Sequence, residues 1–170
     1  MEEINKEYLI SILEYVDGCL FWKNDQGNVK AGSRAGGVGL DSHGYRRVGI
    51  KSKIYLEHRL IYVMHHGEYP KEIDHIDGNK TNNKIENLRS VTRSQNRKNT
   101  GLRADNTSGV KNVSWYAPTN RWRVRVATNN LCKTIGYFKD LELAELVALE
   151  ARDKFHESFA NHGVTQCART

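Results

Sequence analysis

The sequence predicts an α+β fold built from short strands, loops and a few amphipathic helices. Its 170 residues are 38% hydrophobic, which suits one domain of about 100 residues and a smaller second module. Short strand-forming runs alternate with stretches whose apolar positions recur at helical spacing. A polar interval without such spacing separates two groups of elements. We therefore expect a first domain over residues 1–98, a linker over 99–108, a second domain over 109–160 and a tail over 161–170.

A first helix is predicted to begin at Asn5, whose side chain can cap it, and to end at Asp17-Gly18. Its apolar stripe consists of Leu9, Ile12, Leu13 and Val16. Strands are expected at residues 20–22 and 45–50. The glycine-rich residues 32–44 lack the Gly-Lys-Ser/Thr sequence of a phosphate-binding loop, so we interpret them as an ordinary loop.

A strand, loop, strand and helix are predicted in the middle of the chain. A β-prone run at 72–76 meets turn-forming residues, and a second strand follows at 88–91. Thr92 and the glutamine three residues later fit the capping box that begins a helix. This order would bring Asp74, near the end of the first strand, and Asn96, in the first turns of the helix, toward one point.

The residue types in this segment suit hydrolysis of a phosphodiester bond. An unperturbed histidine is largely neutral at pH 7, so His75 can take a proton from an attacking water. The carboxylate of Asp74 and the amide carbonyl of Asn96 are hard oxygen ligands of the kind that hold Mg²⁺. The alternative is a solvated hairpin rich in Asn and Asp that carries out no chemistry.

A family resemblance extends this interpretation. The residues that carry it are Ile73-Asp74-His75-Ile76-Asp77-Gly78-Asn79, Asn82-Asn83, Glu86-Asn87-Leu88-Arg89, Thr92 and Ser94-Gln95-Asn96. Together they resemble the motif of HNH endonucleases, and most closely the phage-encoded homing endonucleases of that superfamily. The resemblance implies a ββα-metal fold in which His75 is the general base, Asp74 and Asn96 bind the ion, and Asn87 steadies the loop and the histidine ring.

One position departs from the family pattern. The final histidine of the motif is replaced by Asn96, which occurs as a variant in the homing branch. An oxygen ligand in place of an imidazole favours Mg²⁺ or Mn²⁺ over Zn²⁺. The resemblance extends upstream to about residue 20 through the segment around His58, and we expect His58, His65 and His66 to pack or to face solvent.

Positive charge is concentrated in the second half of the chain. Residues 89–139 hold eleven Lys or Arg and one acid, Asp105, whereas the whole chain has a net charge of +6. Such segregation is typical of proteins that bind a polyanion such as double-stranded DNA. The candidates for DNA contact in the nuclease half are Arg89, Arg93, Arg97 and Lys98. In the glycine-rich region, DNA contact and a solvated face both remain open for Arg34, Arg46 and Arg47.

The C-terminal region predicts a small antiparallel sheet packed on one helix. Strands are expected at 110–115, 122–128 and 133–138, with turns at 118–120 and 129–130, and a helix at 141–159. Arginines alternate with apolar residues in the middle strand, so they share one face. This region resembles the APETALA-two-type DNA-binding domain, which implies DNA contacts, including guanine edges, by Lys111, Arg121, Arg123 and Arg125. A basic solvated face is the alternative.

The remaining composition suits a soluble protein that acts in the cytoplasm of a phage-infected cell. Three cysteines are too few and too scattered for a disulfide framework or a Cys-rich zinc site. No apolar run is long enough to cross a membrane, and the first residues are acidic. We expect no membrane partner and no small-molecule cofactor. A monomer is the working expectation, although nothing in the sequence decides the oligomeric state.

These observations predict a metal-dependent DNA endonuclease of the homing type, with one divalent ion and a histidine base. One such centre cuts one strand, so the sequence leaves nicking and double-strand cutting open. The competing hypothesis is a sequence-specific DNA-binding regulator whose nuclease centre is inactive. Its distinguishing property would be DNA binding without cleavage.

Overall fold

The computed structural model describes residues 4–37, 39–128, 131–156 and 159–160. The chain divides into two compact units, Met1–Val91 and Thr92–Thr170. Each unit mixes helices with small antiparallel sheets, so the predicted α+β class is confirmed. The family-based domain boundaries given above stay predictions.

The described residues of the first unit form three two-stranded antiparallel hairpins, two α-helices and one turn of 3-10 helix at Ile85–Asn87. Its elements are α1 (Lys6–Ile12), β1 (Leu13–Val16), β2 (Cys19–Trp22), β3 (Arg47–Ile50), β4 (Lys53–Leu56), α2 (Glu57–His66), β5 (Glu72–His75) and β6 (Leu88–Val91). The hairpins pair β1 with β2, β3 with β4, and β5 with β6. The last hairpin contains the predicted catalytic strand.

The predicted first helix is wrong in its second half. It begins as expected, with the Asn5 side chain accepting the backbone N–H of Tyr8, but it ends at Ile12. Residues 13–16 form β1 instead, and a two-residue turn with positive φ at Asp17 (45°) and Gly18 (83°) joins β1 to β2. Asp-Gly is a strong hairpin turn, so strand pairing overrode a helical apolar spacing.

The buried core of the first unit lies around α2. Leu60, Ile61 and Val63 are almost fully buried, and they pack with residues from α1 and all three hairpins. The members from the other elements include Leu9, Leu13, Leu20, Trp22, Val48, Ile50, Ile73 and Leu88. Because Ile73 and Leu88 belong to β5 and β6, this core fixes the hairpin that carries the predicted site.

The second unit begins with a short helix and continues with the predicted three-stranded sheet. Its elements are α3 (Arg93–Lys98), β7 (Val113–Tyr116), β8 (Arg121–Thr128), β9 (Leu131–Phe138) and α4 (Leu141–His156). The strand order is β7-β8-β9, all antiparallel. Thr92 and Gln95 form the predicted capping box at the start of α3.

Helix α4 packs on the apolar face of the sheet. Val113 and Val124 of the sheet are buried together with Ala144 and Ala148 of α4. Along β8, Val124 and Val126 are buried, whereas Arg125 is exposed. The strand register places Arg121 and Arg123 opposite Tyr116 and Ser114. The arginines therefore share the face of the sheet that α4 does not cover.

Three predicted features fall outside the described residues. These are the turn at residues 129–130, part of the predicted helix end at 157–158, and the tail at 161–170 with Cys167. Within the described ranges, no helix is both long enough and apolar enough to span a bilayer.

Candidate active site

Two neighbouring buried side chains, Asp74 and His75, lie at the end of β5. Strand register pairs Asp74 with Arg89 and His75 with Leu88 on β6. Adjacent strand residues point to opposite faces, so the two side chains meet different surroundings. Asp74 meets a guanidinium, and His75 meets an amide.

The ring of His75 ends a chain of buried polar contacts. Its Nε2 lies 3.0 Å from Oδ1 of Asn83, and Nδ2 of Asn83 donates to Oε2 of Glu57 at 2.9 Å. Glu57 also accepts from Nη2 of Arg34 at 3.1 Å and from the backbone N–H of Leu20 at 3.2 Å. Glu57 is 0% exposed and Asn83 is 2% exposed, so this chain is shielded from water.

These contacts assign the tautomer of His75. A carboxylate can only accept, so the atom of Asn83 that faces Glu57 is its NH₂ group. The atom that faces His75 is then the carbonyl oxygen, and Nε2 must carry a proton to donate to it. A neutral His75 therefore has its lone pair on Nδ1. This places the basic atom of the ring at a defined position.

Asp74 is held by an ion pair. Nε and Nη2 of Arg89 both donate to Oδ2 of Asp74, at 3.0 and 2.8 Å. The two side chains are 7% and 20% exposed. The pair is largely buried, so water does not compete for these hydrogen bonds, and they fix the orientation of the carboxylate. It also places Arg89, a predicted DNA contact, against the carboxylate of the site.

Asn87 braces the loop between the two strands. Its Nδ2 donates to Oδ1 of Asp77 at 2.9 Å and to the backbone carbonyl of Asn82 at 2.8 Å. Its Oδ1 accepts the backbone N–H of Asp77 at 3.0 Å. Partial burial opposes ionisation of Asp77, but hydrogen bonds from Asn82, Asn79 and Asn87 outweigh it and lower its pKa. These contacts agree with the loop-steadying part of the role that the resemblance implies for Asn87.

A second histidine lies beside the ring of His75. The ring centroids of His58 and His75 are 5.1 Å apart, and Tyr45 lies 5.0 Å from His58 and 6.1 Å from His75. Burial, and after it the charges of His75 and Arg59, lower the pKa of His58 to about 3. His58 is therefore a neutral packing partner of the candidate base, in agreement with the expectation that it packs.

Comparison with known proteins identifies this region. A family model described as HNH endonuclease matches residues 55–98. Protein 3.8 of Escherichia phage T7 is 34% identical over 107 residues, which make up 61% of this chain and 86% of that protein. The chain belongs to the HNH endonuclease family. No solved structure matches it.

Membership of the HNH family implies a nuclease that acts on DNA. The matched residues include Asp74, His75, Asn87 and Asn96, and they end at Lys98. The APETALA-two-type assignment of the C-terminal region, the homing type and the ββα-metal arrangement therefore stay predictions. The name of the T7 protein states no activity.

HNH nucleases generally use a divalent metal ion. Among the described residues, no group of three His, Cys, Asp or Glu is placed to hold one. A magnesium site does not require such a group, because Mg²⁺ keeps several waters and is often held by one or two protein oxygens and a phosphate. The buried, oriented carboxylate of Asp74 fits such a site. Asn96 lies in α3 of the second unit, and its part in metal binding rests on the family motif.

Six of the eight predicted DNA-binding residues line neighbouring cavities in the second unit. A cavity of about 630 Å³ is lined by Arg97, Lys98, Lys111, Arg123 and Arg125 among others, and Arg93 lines an adjacent cavity of about 360 Å³ that shares Arg97 and Lys98. We call these two adjacent cavities together the basic cleft. Arg121 does not line it, and Arg89 lies in the first unit.

Lys111 is more enclosed than the sequence interpretation assumed. Its Nζ donates to the backbone carbonyl of Lys98 at 3.3 Å, and its own carbonyl accepts from Nη1 of the buried Arg152 at 2.7 Å. Burial, and after it the charge of Arg152, lower the pKa of Lys111 to about 8. Lys111 thus lines the wall of the basic cleft and holds backbone there.

Sequence reasoning missed the partners of His75. Glu57, Asn83 and Arg34 received no role, and Arg34 was interpreted only as a loop residue that touches DNA or solvent. The spacing of buried positions in α2 could have identified Glu57. It precedes Leu60 by three residues and Ile61 by four, which places it on the buried side of the helix. A charged residue at a core position requires a partner. Nothing in the sequence indicated which partner.

Proposed function

We propose that this protein is a metal-dependent DNA endonuclease of the homing type that hydrolyses phosphodiester bonds with His75 as general base. The proposed metal ligands are Asp74 and Asn96, together with the DNA phosphate itself. The observation that carries the proposal is the contact of His75 Nε2 with Asn83 Oδ1, which leaves the basic lone pair on Nδ1. A base with a fixed tautomer beside an oriented carboxylate suits activation of water next to a phosphate.

In this mechanism, Nδ1 of His75 takes a proton from the attacking water. The ring becomes positively charged, and its Nε2–H remains on the carbonyl of Asn83. Glu57 accepts from the other end of the same amide, so its negative charge aligns the amide dipole with the charge that develops on the ring. The proton transfer is therefore stabilised by groups that are already in place before reaction.

A bound Mg²⁺ or Mn²⁺ would supply Lewis-acid stabilisation of the phosphate and of the departing 3′ oxygen. Asn87 holds the loop that follows His75 through its bonds to Asp77. We propose that the second unit contributes DNA affinity through the residues of the basic cleft. One centre cuts one strand, so a double-strand break would need two chains or two successive events.

The test is cleavage of a supercoiled plasmid that carries phage DNA, with Mg²⁺ present. We expect relaxed or linear product that disappears with EDTA and with His75→Ala. The ratio of relaxed to linear product early in the reaction separates nicking from double-strand cutting. Product that persists in the His75→Ala protein would contradict the assignment of the base.

One observation favours a second candidate function. Arg89 already occupies Oδ2 of the carboxylate proposed to bind metal. A protein in which this pair never opens would bind DNA without cutting it, as a sequence-specific regulator with an inactive centre. A clear gel shift without product, across Mg²⁺, Mn²⁺ and several DNA targets, would support this candidate.

A further inference from the structure

The basic cleft joins a segment first interpreted as a linker to the arginine face of the sheet. Its lining includes Thr100, Gly101, Leu102 and Arg103 from this segment, and Arg123 and Arg125 from β8. The cavities of about 630 and 360 Å³ share Arg97, Lys98, Ala127 and Cys132 in their linings, so they are adjacent. Each volume lies within the range of about 300–1,000 Å³ that is typical of ligand sites.

The lining of the cleft is strongly cationic. Seven Lys or Arg line it, namely Arg93, Arg97, Lys98, Arg103, Lys111, Arg123 and Arg125. Among the described residues that line it, Asp105 is the one acid, and Arg103 already binds it through two hydrogen bonds of 2.8 and 2.9 Å. A space with this charge attracts an anion.

The other lining groups suit a sugar-phosphate backbone better than bases. Hydroxyl and amide side chains from Thr100, Asn106, Asn112 and Ser114 are the kind that bond phosphate and sugar oxygens. No Phe, Tyr or Trp occurs among the described lining residues, whereas binding of single bases relies on stacking against such rings. The chemistry therefore favours phosphodiester groups.

A buried group in the lining has an unused polar atom. His156 is 3% exposed and lines the cleft, and its Nε2 donates to the backbone carbonyl of Ala127 at 2.8 Å. Within the part of the chain that the structure describes, its Nδ1 has no hydrogen-bond partner. Because Nε2 carries the ring proton, this Nδ1 can only accept a hydrogen bond; a bridging water can donate to it, whereas a phosphodiester has no proton to donate.

The wall of the cleft is held in place before any ligand binds. Nδ2 of Asn106 donates to the carbonyls of Val110 and Val113, and Oγ of Ser108 lies within hydrogen-bond distance of the same two carbonyls, with that of Val113 the nearer at 2.8 Å. An ion pair between Arg103 and Asp105 links the residues that come just before Asn106. A preformed wall loses little conformational entropy on binding.

We propose that the basic cleft holds the sugar-phosphate backbone of DNA, which makes residues 97–107 a DNA-binding element and not a spacer. The proposal rests on the proposed function for its choice of DNA as the polyanion. It also changes the role of Arg123 and Arg125, because side chains inside the cleft contact phosphates in every sequence and do not read guanine edges.

The first test measures DNA affinity of the full chain in EDTA, where cleavage cannot interfere, at several salt concentrations. Arg97→Gln and Arg125→Gln remove exposed cations of the cleft, and Lys154→Gln removes an exposed cation of α4 outside it. We expect each cleft variant to lower the slope of log affinity against log salt by about 1, equally for all DNA sequences. The Lys154→Gln protein should keep the original slope.

The second test uses Cys132, an exposed thiol in the cleft lining. Its rate of alkylation by iodoacetamide, followed by peptide mass spectrometry, should fall when duplex DNA is added. Cys19 in the first unit is the internal control and should react at an unchanged rate. A parallel reaction with inorganic phosphate, at matched ionic strength, separates free phosphate from DNA as the ligand.

Three results would overturn the proposal. One is a cleft variant whose slope of log affinity against log salt equals that of Lys154→Gln. Another is a rate of Cys132 alkylation that does not change when DNA is added. Protection of Cys132 by phosphate but not by DNA would assign the cleft to a free anion. These measurements do not depend on cutting, so failure of the nuclease assignment and failure of the cleft assignment are distinguishable.

Discussion

Oδ1 of Asn83 lies 3.0 Å from Nε2 of His75, and both side chains are buried. The contact connects the candidate base to Glu57 and, through Glu57, to Arg34. Three side chains, Asn83, Glu57 and Arg34, therefore determine the proton position on one imidazole.

Asn83→Ala removes the carbonyl that fixes the tautomer of His75. We expect the single-turnover rate of plasmid cleavage to fall by about 10- to 100-fold, the range seen when the partner that orients a site histidine is lost. DNA affinity in EDTA should not change. Asn24→Ala, an exposed amide of the first unit, is the matched control. An Asn83→Ala protein that cuts at the original rate would contradict the role of the contact.

Glu57→Gln neutralises one partner of a buried ion pair while it preserves the shape of the side chain. Breaking such a pair costs about 3–5 kcal/mol because the remaining charge loses its compensation. Arg34 is one-third exposed, so we expect the lower end of that range. Urea unfolding, followed by tryptophan fluorescence in a protein with Trp115→Phe and Trp122→Phe so that the buried Trp22 is the reporter, measures the loss. The exposed Glu68→Gln should unfold as the unsubstituted protein does, and equal stability of the two variants would refute the prediction.

Asp74→Asn removes the charge that is proposed to hold the metal ion. We expect cleavage to fall by about 10²- to 10³-fold, as for loss of one well-placed electrostatic group. Gel shifts in EDTA should show undiminished DNA affinity, because the change removes a negative charge. Asp17→Asn, an exposed residue in the turn of the first hairpin, serves as control. Full activity of Asp74→Asn at low Mg²⁺ would exclude Asp74 as a ligand.

His58 makes stability depend on pH. Its pKa is about 3 in the folded chain, whereas an unfolded histidine titrates near 6.5. Between these two pKa values the unfolded chain binds a proton that the folded chain does not bind. The free energy of unfolding is therefore at its full value above pH 6.5 and falls by up to about 1.4 kcal/mol per pH unit as the pH is lowered. His58→Gln should flatten this slope in unfolding measured from pH 7 to 4. His66→Gln, at an exposed position, should keep it, and identical slopes in both variants would reject the assignment.

Local sequence rules predicted the elements with strong caps or turns. The capping box at Thr92 and the three strands of the C-terminal sheet formed as expected, because hydrogen bonds close in sequence determine them. The first helix failed at Leu13, where pairing with Trp22 across the hairpin outweighed helical spacing. The Asp17-Gly18 turn, which closes this hairpin, therefore decided the competition between helix and strand.

The candidate site was predictable in its residue types but not in its contacts. Asp74 and His75 follow from the motif, whereas the contact between Asn83 and Glu57 joins residues 26 positions apart. The same holds for Arg34, which lies in a glycine-rich loop with no periodicity to place it. Its partner, Glu57, lies in α2, and only the folded chain brings the loop and this helix together.

The bonds from Leu20 and Arg34 to Glu57 limit how far the catalytic motif can be transplanted. The matched family segment, residues 55–98, contains Glu57, Asn83 and His75 but neither of those two donors. Grafted alone onto another scaffold, it would keep the bond from Asn83 to Glu57 but lose the bonds from Leu20 and Arg34, so the buried carboxylate behind the orienting amide would be left partly unpaired. We therefore expect the smallest part of this chain that cuts DNA on its own to begin upstream of the segment that identifies its family.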